Sequence, residues 1–151
     1  MAEDLPEALA VALPRVLHDL EVTTGVVLRF EPYAWGLAEQ LTAMAWWPDG
    51  GGQGIFVMAN DDAETSVASL ADQIQELVVE NKVAIDGSST WPECPQHPRS
   101  HPMAATVVGG VASWTCPLNS QPETRVGSLV TVARGKLTAR QKRDLKRRSG
   151  T

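Results

Sequence analysis

Apolar residues recur along the first twenty positions at helical spacing, with Leu5, Leu9, Leu13, Val16, Leu17 and Leu20 on one face. The pattern predicts a helix over residues 4–20, with Asp4 as N-cap and Pro6 in the first turn. Pro14 falls inside the pattern and is expected to kink or split the helix. Residues 22–31 are rich in β-branched side chains and read as a strand. Residues 40–47 alternate, with Leu41, Ala43, Ala45 and Trp47 on one side and Thr42, Met44 and Trp46 on the other, which is a strand pattern. The loop PDGGGQG (48–54) then joins a return strand over 55–58.

The strongest helical periodicity lies in residues 62–81, where Val67, Leu70, Ala71, Ile74, Leu77 and Val78 share a face. Asp61 with Glu64 three residues on has the form of a capping box. A Pro- and Ser-rich stretch, 86–102, follows. Residues 104–108 and 111–115 are short apolar runs joined by Gly109-Gly110, a strong hairpin signal. A further strand is expected over 126–133, and Thr138 with Gln141 caps a short helix ending near Gly150. Helices packed on an antiparallel sheet give an α+β fold, expected as one domain over 1–133 with a basic helix or tail over 134–151. The element order resembles the secretion-chaperone-like α+β fold, a likeness of topology that implies little about function.

The chain of 151 residues is 43% hydrophobic and 21% charged, enough to bury a core without disulfide staples. No apolar run approaches the length of a membrane span. The first residues are acidic where a secretory signal is basic, so a cytoplasmic location is expected. The net charge of −5 conceals a split. Residues 134–151 hold eight of the thirteen basic residues and one acid, a segment of +7, while the other 133 residues carry −12. That asymmetry fits a nucleic-acid partner, an acidic protein partner, or a solvated helix folded back on the acidic body.

Both cysteines and two of the three histidines fall in one stretch, with the spacing Cys94-x2-His97-x3-His101-x14-Cys116. Zinc takes thiolate and imidazole ligands in a tetrahedron. Cys94 and His97 can face one centre from a tight turn, and the predicted hairpin brings His101 near Cys116. Pro92, Pro95, Pro98 and Pro102 restrict the loop before any ion arrives. Trp91 and Trp114 flank the outer ligands as apolar cover.

Residues 90–117 resemble zinc-ribbon and zinc-knuckle modules. Cys94-Pro95-Gln96-His97 is similar to their Cys-Pro-x-Cys knuckle with histidine for the second cysteine, and Cys116-Pro117 is similar to the start of a second knuckle. Asn119 stands where a ribbon places its fourth ligand, so His101 must substitute. The whole string is also similar to small uncharacterised actinobacterial proteins, a resemblance that brings no activity with it.

Three readings of the cysteines are open: a zinc site, inert buried thiols beside a surface loop, and a disulfide. The histidine spacing and a reducing compartment favour zinc. Four ligands make a closed, structural sphere, whereas a catalytic version would use three of them with Glu93 as base. No Ser-His-Asp or Gly-x-Ser-x-Gly arrangement is visible, His18 stands alone, and residues 49–54 lack the Lys-Ser/Thr of a phosphate loop. Trp46 and Trp47 must face opposite sides of a strand, one under a helix and the other covered by a loop or a partner. The expected role is a zinc-binding, non-enzymatic component that interacts with another protein in a chaperone-like or assembly capacity. Nucleic-acid binding through 134–151 and metal-dependent hydrolysis are the alternatives.

Overall fold

The computed structural model describes residues 5–36, 38–86, 90–97, 100–119 and 121–130. Helix α1 (Glu7–Thr24) buries Leu9, Leu13, Val16 and Leu20 along the face that the spacing predicts. It runs unbroken through Pro14, although the ring leaves the Ala10 carbonyl without its usual i+4 donor. Tertiary burial on both sides of the proline outweighs that loss. The same burial carries the helix past Leu20 to Thr24, into the segment expected to be a strand. Gly25, at φ 77°, ends it and donates its N–H to the Glu21 carbonyl at 2.8 Å.

Strand β1 is therefore short (Arg29–Pro32), and it pairs antiparallel with β2 (Gln40–Trp46), which pairs with β3 (Gly52–Met58). Ala43, Ala45, Ile55 and Val57 point to the core, and Trp47 follows them inward. β3 begins at Gly52, ahead of the expected return strand at Ile55. Gly52 and Gly54 join the ladder because two indoles use their missing side chains: a Cβ at Gly52 would strike the Trp46 ring, and one at Gly54 would lie 2.9 Å from Trp35. Trp46 thus stays on the outer face, with the Arg29 guanidinium 5.6 Å from its ring centroid.

Helix α2 (Ala63–Asp86) buries Val67, Leu70, Ala71, Ile74, Leu77 and Val78, the face expected from periodicity. Its cap lies one residue later than the Asp61–Glu64 box: Asp62 Oδ1 accepts from the Thr65 N–H at 2.7 Å. That bond holds the Asp62 carboxyl below its ordinary range. Glu64 is released for tertiary work.

The second sheet has the order β4-β5-β6, from β4 (Ala104–Val108), β5 (Val111–Thr115) and β6 (Pro122–Arg125). Gly109 and Gly110, at φ 57° and 81°, form the two-residue turn that a tight hairpin needs. The strand expected over 126–133 does not form in its described part. β6 ends at Arg125, and the chain is diverted onto α1. The fully buried Asp19 carboxyl accepts N–H groups from Gly127 (2.7 Å), Leu129 (3.0 Å) and the Trp114 indole (2.7 Å). Arg15 Nε donates to the Val126 carbonyl at 3.0 Å. The exposed His18 reaches the Leu129 carbonyl at 3.2 Å. The helix expected between Thr138 and Gly150 and the Asp4 cap lie outside the described residues.

Both sheets and both helices contribute to one hydrophobic cluster, from Leu9 and Ile74 to Ile55 and Trp114. Among the described residues no helix is long and apolar enough to cross a membrane.

Two measurements follow from these polar ties. Asp19→Ala leaves the buried Trp114 indole N–H and two part-buried backbone N–H groups without their acceptor and is expected to lower the free energy of unfolding by about 3 kcal/mol in denaturant titration. Glu64 is held below the ordinary glutamate value of 4.5, first by the hydrogen bond from Arg15 (2.7 Å) and then by the Ala112 N–H (2.9 Å). A depressed folded pKa adds stability that is present above the unfolded value and lost as pH falls through the folded one. Wild-type stability should therefore decline from about pH 4.5 downward. Glu64→Gln should start about 1 kcal/mol lower at neutral pH and decline less over that acid window.

Candidate metal centre

Helix α2 organises the chain on both sides of the site. Gln75 Nε2 lies 2.9 Å from the Trp91 carbonyl and 2.6 Å from the Met103 carbonyl. Between those two points the chain makes a loop whose stems pair with each other. The Met103 N–H donates to the Pro92 carbonyl at 2.8 Å, and Glu93 and Pro102 form an antiparallel bridge. Cys94 follows Glu93 directly, and His101 precedes Pro102 directly, so the paired stems deliver both residues to the same end. The turn after Cys94 closes with the His97 N–H on the Cys94 carbonyl at 3.2 Å, which brings His97 back over its own cysteine.

Cys116 arrives from β5, directly after Thr115. Thr115 is the register partner of Ala104, so the β4–β5 hairpin sets Cys116 beside the loop as its spacing predicts. The Cys116 N–H is tied to the Gln121 carbonyl at 3.0 Å, and the Gln121 N–H to Asn119 Oδ1 at 2.9 Å. These two bonds bring the chain after Cys116 back beside it. Asn119, in the position of a ribbon's fourth ligand, donates instead to Gln96 Oε1 at 2.8 Å, while Gln96 donates to Glu123. The two turns are thus joined by amides on their outer side.

Cys94, His97, His101 and Cys116 converge, with all four ligand atoms within 4.8 Å of one another. His97 Nδ1 lies 3.7 Å from Cys94 Sγ, 3.5 Å from Cys116 Sγ and 3.1 Å from His101 Nε2. His101 Nε2 lies 3.9 Å from Cys116 Sγ. Both cysteines are fully buried and unbridged, and both histidines are half-buried. A tetrahedral zinc with ordinary bond lengths would hold its ligands about 3.4 Å apart for N···N and about 3.6 Å apart for S···N. The N···N separation and the three S···N separations above lie within about 0.3 Å of those values. The set can hold a metal ion.

His101 is oriented from its far side. Its Nδ1 lies 2.9 Å from the Pro102 carbonyl, which can only accept, so Nδ1 carries the proton and Nε2 offers its lone pair to the centre. Trp91 and Trp114, expected as apolar cover, are buried edge to face, with centroids 5.6 Å apart. Their N–H groups bond Thr23 and Asp19 on α1. Glu93, the base of a catalytic alternative, is exposed. Sequence reading missed Gln75, Thr23 and Asp19, since a polar residue beside a helical apolar face ordinarily signals only solvent.

Nothing matches this chain among protein-family models, curated proteins or solved structures. The zinc-knuckle resemblance therefore stands on the four converging residues alone.

The Pro102 bond sets an expectation for the metal-free protein. Long-range 1H–15N correlation at mildly alkaline pH should find His101 in the Nδ1–H tautomer, against the usual preference of free imidazole for Nε2–H.

Proposed function

We propose that the chain is a non-enzymatic zinc-binding protein in which Cys94, His97, His101 and Cys116 form a closed structural site. The observation that carries this reading is the agreement between the ligand-atom separations, 3.1 Å for N···N and 3.5–3.9 Å for S···N, and a tetrahedral ion. The donor set suits zinc, which accepts thiolate and imidazole together. Two thiolates balance a divalent charge, so the bound cluster is neutral where both cysteines are shielded from water. Four protein donors leave no coordination position for water, which supports a structural role over hydrolysis. When bound, the ion supplies a cross-link between the loop at Cys94–His101 and the end of β5.

The wider role is that of a protein-interaction or assembly component. The acidic −12 body beside a separate +7 segment supports charge-guided docking of a protein partner. Nucleic-acid binding would rest on residues 134–151, outside the described residues, and no contact in the described part favours it.

Metal analysis of the purified protein, with Cys94→Ser as comparator, tests the proposal. The expected result is a single zinc per chain, lost in the variant together with about 10 °C of Tm. Metal-free protein with two titratable thiols and no response to added zinc would overturn it.

A further inference from the structure

We propose that Gln75 is the positioning residue of the metal centre, holding together the loop stem that leads to Cys94 and the stem that follows His101. The inference rests on the zinc reading above and deepens it.

Three observations converge on this residue. Its amide nitrogen has two hydrogens and two carbonyl acceptors, Trp91 at 2.9 Å and Met103 at 2.6 Å, so its donor capacity is fully used. Those carbonyls belong to opposite stems of the site loop, three residues before Cys94 and two residues after His101. Among the described residues, the Pro92–Met103 hydrogen bond and the Glu93–Pro102 bridge stand between Gln75 and the ligands. Neither stem belongs to a regular sheet at this point, so the amide supplies the lateral tie that a third strand would give. Gln75 itself sits in a well-anchored stretch of α2, between the buried Ile74 and Leu77. The planar amide is rigid, and it fixes the separation of two backbones rather than the rotamer of one ligand. His97 and Cys116 are fixed by other means, the Cys94 turn and the β4–β5 hairpin. Gln75 therefore acts on the separation of Cys94 and His101, whose ligand atoms lie within 4.8 Å of each other.

Loss of a group that hydrogen-bonds a metal ligand directly ordinarily reduces metal affinity about 10–100-fold, and Gln75, which acts through the backbone of the stems, is expected at the lower end of that range. A role in folding alone would instead lower the stability of the metal-free protein and leave the coordination geometry unchanged. The full-length chain with Gln75→Met, which keeps length but has no donor, separates these. Zinc affinity is read by competition with a chromophoric chelator. Geometry is read from the visible d–d bands of the cobalt(II)-substituted protein, and metal-free stability by denaturant titration. The expected result is affinity down about 10-fold with shifted, weaker cobalt bands. Gln75→Lys, which keeps N–H donors on a flexible stem, should fall between wild type and Gln75→Met. If Gln75→Met does not fold, reduced affinity and altered bands in Gln75→Lys carry the test alone. Wild-type affinity and cobalt bands in the folded variants, whatever their metal-free stability, would overturn the role of Gln75 and leave the zinc reading intact. Wild-type protein that binds neither zinc nor cobalt would overturn both.

Discussion

Two small antiparallel sheets meet through the polar side chains of one helix. Gln73 and Gln75 are two residues apart on α2, roughly 200° around the helix, so they face opposite sides. Gln73 pairs with the edge strand β3, accepting from the Phe56 N–H at 2.9 Å and donating to the Phe56 carbonyl at 2.8 Å. Gln75 grips the stems of the 91–103 loop on the other side. Each amide satisfies backbone groups that would otherwise be left without a partner beside the core. The helix is thus a strut between the sheets, and the candidate metal centre lies at one end of what it holds.

A second set of ties works from α1. Asp19 gathers three N–H groups from β5 and from the segment after β6, and Arg15 links that segment to Glu64 on α2. These bonds tie the second sheet and the segment after it to both helices. Burial within the cluster divides by residue type: both cysteines sit inside, and both histidines form the half-exposed side.

Where expectation and structure part, tertiary contact is the reason. Thr23 and Thr24 have β propensity, but they extend α1. The helix ahead of them is anchored by the buried Val16 and Leu20, and their hydroxyls bond back to the Asp19 and Leu20 carbonyls. Gly52 and Gly54 read as loop, yet they pair in β3 because Trp46 and Trp35 lie over them. Val126 and Leu129 read as strand, yet their segment is drawn onto Asp19. The partners that decide these cases are tertiary neighbours, of which a local pattern carries no trace.

The sequence by itself determined the α+β class, the apolar faces of both helices, the Gly109-Gly110 hairpin and the identity of the four candidate ligands. Those features depend on period, turn chemistry and residue type, all of which are local. Only the tertiary structure decided that the sheet is divided in two, that Asn119 braces Gln96, and that His101 presents Nε2 to the centre. It alone decided that Gln75 spans the loop. Hydrogen-bond partners of this kind are chosen by distance in space, and an amide or carboxyl beside an apolar face has the same appearance in sequence whether it meets water or a distant carbonyl.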